Sequence, residues 1–393
     1  MRKVQAHTSS LDAYAAGLLT ERRAAGLYRT RSILEGPQGI RPFIDGRQVL
    51  SFCSNDYLGL ASHPTVRRAF QLAADRYGVG SGASHLITGH ARPHHQLEEE
   101  LAEFTGRPRA LLFSTGYMAN LAVGSTLLGR ADTALEDRFN HASLIDAALM
   151  SRARLVRYPH ADVNALALAL QRSAPSRRVI LTDGIFSMDG GLAPLDRLRD
   201  LALAHAAWLA VDDAHGLGVV GPTGRGSLES FGLTLGDVPV LIGTLGKAFG
   251  TFGAFVAGSD HFIDALIQVA RTYIYTTALP PAVAEATRAS LRLVQSGERR
   301  TQLLARVERF RRGLRELGLS FAPSAFAIHA FVLGSPQRAL LASERLAERG
   351  ILVPAIRPPT VPAGSSRLRV TLSADHTDEH VDQLLDALSR VLT

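Results

Sequence analysis

Lysine is almost missing from this chain. Of its 43 basic residues only two, Lys3 and Lys247, are lysines, and arginine supplies all the others. Arginine stays protonated inside proteins, so none of those side chains serves as a nucleophilic amine or a proton carrier. Cysteine is scarcer still. The single Cys53 excludes an internal disulfide framework and a cysteine metal cluster, and its place in the apolar run 49–54 reads as a buried structural thiol. Aromatic residues make up 6% of the chain and do not interleave with basic ones in the way that stacks bases. The arginines are dispersed, apart from short pairs such as Arg299-Arg300 and Arg311-Arg312. The net charge of +7 therefore points to anionic small-molecule ligands rather than to nucleic acid. No apolar run approaches the ~20 residues that span a bilayer, and no leader-like pattern opens the chain. The expectation is no membrane and a cytoplasmic location. Repeats and low-complexity segments are missing too.

What remains is the composition of a globular protein, 46% hydrophobic and 20% charged over 393 residues. That length suits two or three domains and a core needing no staples. Residues 9–30 read as an amphipathic helix, with Leu11, Tyr14, Leu18 and Leu19 opposite an arginine-rich face. Asp45-Gly46 between two short apolar runs signals a hairpin. The runs 110–113, 178–182, 208–211 and 240–243 are short, apolar and bounded by turn residues. Strands of that kind are buried on both faces, which predicts an α/β fold with a mainly parallel central sheet flanked by helices. After Pro280-Pro281 the texture changes to long Arg/Glu/Leu helices (282–317). The expected division is an N-terminal helix and hairpin segment (1–50), a large domain (51–285) and a smaller C-terminal α/β domain (286–393).

In such a sheet, ligands gather at the carboxyl ends of the strands, and the polar residues there form one set. Lys3 reads as a solvated charge near the terminus. Lys247 follows the apolar run 240–243 through a glycine-rich turn, an amine at the end of a buried strand. It is the candidate Schiff-base lysine, the attachment point of pyridoxal phosphate (PLP). The run 114–120 (Ser-Thr-Gly-Tyr-Met-Ala-Asn) leaves a strand and opens a helix, whose free N–H groups near Gly116 offer a phosphate cradle. Asp212 ends a strand, where an acid can hold the nitrogen of a pyridine ring and strengthen it as an electron sink. His215 follows within reach of the ring's phenolic oxygen. His141 can stack on such a ring, Asp183 and Ser187 add an acid and a hydroxyl, and the Thr244 hydroxyl can reach the phosphate. The stretch 216–221 matches G-x-G-x-x-G, but Pro222 and the neighbouring aspartates speak against a dinucleotide site there. No residues are assigned to a metal.

The motifs His141, Asp183-x-x-x-Ser187, Asp212-x-x-His215 and Thr244-x-x-Lys247 together resemble those of the α-oxoamine synthases, PLP-dependent transferases of fold type I. The resemblance runs from 54–60 to 367–372, with 186–190 and 212–216 as its most specific stretches. It implies that Lys247 carries PLP in imine linkage, that Asp212 holds the ring nitrogen and that His141 stacks on the ring. His215 and Ser187 would contact the phenolic oxygen. Gly116, Tyr117 and Thr244 would bind phosphate, joined by Thr277 of the partner subunit of a homodimer. Arg369 would grip the amino-acid carboxylate, while Arg29, Asn55 and Thr360 match substrate-side positions. Within the family, 355–364 looks most like the member that condenses L-alanine with a pimeloyl thioester in biotin biosynthesis. Glycine-using members share the cofactor residues, and a PLP-binding protein without turnover is the reading from another class. Two departures stand out. Asp183 takes the place of a glutamate, and His85 lies in a loop (80–85) that varies among these enzymes and shapes the acyl pocket.

Overall fold

The computed structural model describes residues 10–322 and 324–392, so Lys3 lies outside the described residues. At its centre is a seven-stranded sheet: β1 (Arg109–Phe113), β2 (Thr133–Asp137), β3 (Arg154–Tyr158), β4 (Arg178–Asp183), β5 (Trp208–Asp212), β6 (Val240–Thr244) and β7 (Ala254–Gly258). Their spatial order is β1-β7-β6-β5-β4-β2-β3. All run parallel except β7, which pairs antiparallel with both β1 and β6.

Consecutive apolar residues in β4 show why the sheet is buried on both sides. Side chains alternate across a strand. Val179 and Leu181 therefore enter one core with Val123 and Leu144, while Ile180 enters the other with Leu166 and Leu198. The helices Gly116–Leu127 and Ala142–Ser151 cover the first face, and Val163–Arg172 and Leu195–Ala204 the second. Three strands escaped the sequence reading. The carboxylates Glu136 and Asp137 close β2, β3 is an edge strand with only Tyr158 fully buried, and β7, fully buried but following the glycine-rich turn after Lys247, was not separated from that turn.

The expected hairpin forms, with Phe43 opposite Gln48 and Ile44 opposite Arg47. Asp45 (φ 48°) and Gly46 (φ 78°) make the left-handed two-residue turn that matches strand twist. The first helix is shorter than expected. It spans Leu11–Ala24 and stops where Gly26 turns left-handed at φ 67°. None of its residues is buried, and Leu11 is 80% exposed.

Beyond β7 the chain passes through Pro281–Ser296, which contains residue 285, and Glu298–Glu316 into an antiparallel three-stranded sheet. There Ser366–Thr371 lies between Ile328–Gly334 and Ala355–Ile356. Leu50–Ser51 pairs in parallel with Ile351–Leu352, tying the N-terminal segment to this region. One core joins Phe52, Leu58 and Leu60 to Phe310, Phe331, Leu368 and Leu388. That continuous packing fixes Arg369 against the carboxyl ends of the large sheet. Leu181 is completely buried at the middle of that sheet, and Leu181→Ala is expected to lower unfolding free energy by about 2–5 kcal/mol in urea titrations.

Candidate active site

β1, β2, β4, β5 and β6 all end on one rim, and the residues just past them close around a cavity of about 190 Å³. Its walls bring together Gly116, Tyr117, His141, Asp183, Ser187, Asp212, His215, Thr244 and Lys247, with Asn120, Ser143 and Ala214. Each arrives by its own local device. Thr115 caps the helix Gly116–Leu127 by accepting from Met118 N–H at 3.2 Å, which aims the helix start at the cavity. His141 caps Ala142–Ser151 through Nδ1. Asp183 and Asp212 stand opposite each other on paired strands. Lys247 sits in a tight turn closed by Gly250 N–H donating to its carbonyl at 2.8 Å.

Two polar relays organise the interior. In the first, Asn120 Nδ2 donates to Asp212 Oδ2 at 2.7 Å and to Ser143 Oγ at 2.8 Å, and Ser143 Oγ lies 2.7 Å from His141 Nδ1. Asp212 Oδ1 accepts from Ala214 N–H at 3.0 Å. Asp183 accepts the His141 N–H at 2.9 Å. Burial, and secondarily Asp212, holds the Asp183 carboxyl well above the usual carboxylate range. Burial also lowers His141, leaving it a neutral ring.

The second relay reaches the amine. Lys247 Nζ lies 2.9 Å from His215 Nε2, and His215 Nδ1 lies 2.7 Å from the Tyr57 hydroxyl. Arg369 Nη2 donates to that hydroxyl at 3.5 Å, and both terminal nitrogens of Arg369 donate to Asn55 Oδ1 at 3.2 Å. Burial brings the Lys247 amine down to about 8 and pushes His215 well below its ordinary value. Arg369 Nε donates to the Ser187 carbonyl at 2.6 Å, and among the described residues no carboxylate pairs with this buried guanidinium. It is positioned to receive an anion.

The remaining expected residues lie elsewhere. Arg29 and Thr360 approach each other at 3.5 Å, outside the cavity wall. Thr277 is exposed and bridges to Ser84. His85 faces a separate hollow among other histidines. Cys53 is partly buried, and burial raises its thiol, as suits a structural cysteine. Tyr57, Asn120 and Ser143 escaped the sequence reading. Asn120 lies one turn beyond Gly116 on the same helix, so helical spacing could have placed it on the cavity side, whereas Tyr57 sits in a turn that carries no periodic signal.

The glycine-rich stretch after β5 has a different purpose. A Cβ at Gly184, Gly216 or Gly226 would collide with the buried Asp213 carboxylate. That carboxylate accepts both the backbone N–H and the hydroxyl of Ser227 at 2.7 Å. Burial raises it from 3.8 to about 7. A carboxyl with a raised folded pKa stabilises most below its unfolded value, and that contribution fades as pH climbs through the folded one. Urea midpoints of the natural protein should therefore fall between pH 4 and 7 relative to Asp213→Asn; parallel pH profiles would contradict this.

Could these residues hold PLP? Asn120 Oδ1 is buried without a partner, and a Cβ on Gly116 would meet nothing within 4 Å, so the helix start faces open ground. A partly desolvated amine, an anchored carboxylate and a helix N-terminus share one cavity. The donor set fits an aldehyde, a ring nitrogen and a phosphate.

The chain belongs to the aminotransferase class I and II family, whose match covers residues 47–388. Solved structures agree. A Sphingomonas wittichii serine palmitoyltransferase superposes with a TM-score of 0.92 at 33% identity, covering 98% of each chain. A serine palmitoyltransferase variant from S. paucimobilis, solved with a bound PLP–myriocin aldimine, gives 0.92 at 30% identity, again over 98% of each chain. The fold is thus that of the fold-type I PLP enzymes. At closer range the likeness is to the 8-amino-7-oxononanoate synthases, acyltransferases of biotin biosynthesis. The one from Methylococcus capsulatus is 62% identical over 375 residues, which are 95% of this chain and 97% of the relative.

Proposed function

We propose that the chain binds PLP at Lys247 and joins L-alanine to a pimeloyl thioester, carried on CoA or on a carrier protein. The products would be 8-amino-7-oxononanoate, CO2 and the free thiol. The observation that carries this reading is the Lys247 amine, lowered to about 8 and held 2.9 Å from His215 in the cavity that also contains Asp212. PLP, when bound, supplies an aldehyde for amine capture and a protonated ring that accepts the electron pair left at Cα.

The protein's own groups do the rest. With its pKa lowered to about 8, the Lys247 amine has a minor unprotonated fraction near neutral pH, far larger than that of a solvated lysine, and that form can take the Cα proton of alanine. Asp212, anchored by Asn120 and Ala214 N–H, accepts the proton-bearing ring nitrogen. His141, held by Ser143, would lie against the ring. Gly116 and Tyr117 N–H groups and the Thr244 hydroxyl receive the phosphate. Arg369, braced by Asn55 and the Ser187 carbonyl, grips the alanine carboxylate and steers the Cα–H bond into line. Alanine Cα, once deprotonated, would attack the thioester carbonyl with departure of the thiol; the resulting β-keto acid would lose its carboxylate as CO2, and the proton held by Lys247 would return to Cα.

Arg29, Thr360 and His85 shape the acyl side, and Thr277 of the partner subunit completes the phosphate site in a homodimer. The exposed apolar side chains Leu11, Val79, Ile87 and Tyr275 support that assembly.

Lys247→Ala is expected to lower kcat about a hundred- to ten-thousandfold and to abolish borohydride fixation of PLP to the chain. Undiminished turnover would remove Lys247 from the mechanism. Product analysis decides the substrates: L-alanine with pimeloyl thioester should give 8-amino-7-oxononanoate, and equal or faster consumption of glycine with acetyl- or succinyl-CoA would assign the chain to a glycine-using branch.

A further inference from the structure

A second hollow of about 310 Å³ lies beside the helix Arg92–Thr105, away from Lys247 and lined in part by His85, His90, His95, Glu98 and Arg109. Two trios place one ligand atom each within 4.8 Å of one another: His85, His90 and His94, or His90, His95 and Glu98. The hydrogen bonds tell them apart. His94 Nδ1 accepts from Ala91 N–H at 2.9 Å, and its Nε2 lies 2.6 Å from the Leu279 carbonyl. Both of its nitrogens are engaged, so His94 is a structural pin.

The other trio keeps its donors. His95 and Glu98, three residues apart on the helix, share a face, and His90 enters from the loop just before it. Glu98 uses Oε1 to accept Leu112 N–H at 3.0 Å, while Oε2 lies 3.9 Å from His90 Nε2. The far nitrogen of His90 lies 2.9 Å from His85 Nδ1, an outer partner that fixes the ring's rotation. The arginine in the hollow, Arg109, is committed to Asp264 at 2.5 Å. Among the described residues Glu98 has no lysine or arginine ion pair. His95 packs edge-on against His90 and approaches Glu99 at 3.4 Å on the exposed rim, leaving a path for an ion from solvent.

We propose that His90, His95 and Glu98 bind a divalent transition-metal ion of the zinc type. Two imidazoles and one carboxylate suit zinc or cobalt(II) and disfavour magnesium or calcium, which prefer all-oxygen sets. Water from the hollow completes the coordination. The ion ties the turn His85–Gly89 to the helix Arg92–Thr105. That turn follows Ala83 and Ser84, which pair with Ala278 and Thr277. The site is therefore a clamp on a segment that borders the proposed subunit contact, and it takes no part in the chemistry at Lys247.

The test uses tag-free, PLP-loaded protein titrated with cobalt(II), read by the visible bands of tetrahedral cobalt, and with zinc by calorimetry. One ion per chain is expected. His95→Ala, on the exposed rim, and Glu98→Gln, which keeps an acceptor for Leu112 N–H, should each weaken binding at least about tenfold, the loss of one ligand's worth of affinity. His380→Ala, remote from the trio, should leave binding unchanged. Circular dichroism of the metal-free variants establishes that they fold. Metal binding equally strong in both folded variants, or no stoichiometric binding to the natural protein, would overturn the proposal.

Discussion

Two aspartates in register on neighbouring strands, Asp183 on β4 and Asp212 on β5, impose the constraint from which the site follows. Like charges in a low-dielectric interior repel strongly, and each also loses its hydration. The structure resolves this by treating them differently. Asp183 is enclosed, receives the His141 N–H and is pushed toward its protonated form. Asp212 receives two donors, Asn120 and Ala214 N–H, and turns toward the cavity. One carboxyl becomes a scaffold for His141 and the other a fixed acceptor facing the cavity. Such an arrangement stores affinity for a cationic ring at the place where Asp212 points.

The Lys247 amine is the counterpart of that arrangement. A freely solvated lysine amine would stay fully charged near neutral pH. Burial instead lowers it to about 8, and its nearest partner is His215, itself kept neutral. The relay through Tyr57 then connects this amine to Arg369 and Asn55. Proton acceptor and carboxylate clamp are thus parts of one hydrogen-bonded chain. That chain crosses from the large sheet to the C-terminal sheet, and the core running from Phe52 to Leu388 keeps its two ends in register.

Much of this was legible in the sequence because the physics was local. Apolar runs flanked by turns announced β1, β4, β5 and β6, and the scarcity of lysine singled out Lys247. Asp45-Gly46 specified its hairpin through the left-handed φ values both residues adopt. The rest depended on distance in the chain. Tyr57 meets His215 across 158 positions and Asn120 meets Asp212 across 92, contacts that no periodicity encodes. Strand β2 was hidden because it buries Glu136 and Asp137 where an apolar run was sought. The glycines at 216, 218 and 221 imitate a nucleotide motif, yet Gly216 makes room for the Asp213 carboxylate while Gly218 and Gly221 adopt left-handed φ values against Ala248 and Glu229.

The residues that stand away from the cavity share a pattern of their own. Thr277 and Tyr275 lie on an exposed stretch that bridges to Ser84, while Val79 and Ile87 flank the same loop with their apolar side chains in solvent. The helix Leu11–Ala24 presents Leu11, Tyr14 and Leu18 outward in the same way. A protein with so continuous a core has no need to leave these side chains uncovered, and apolar surface of this extent is ordinarily covered by another chain. A second copy would bury them by symmetry, each protomer lending the loop around Thr277 to its neighbour. On that reading the cavity of about 190 Å³ is one wall of the functional site. In the proposed homodimer an acyl chain would then meet surface from both subunits.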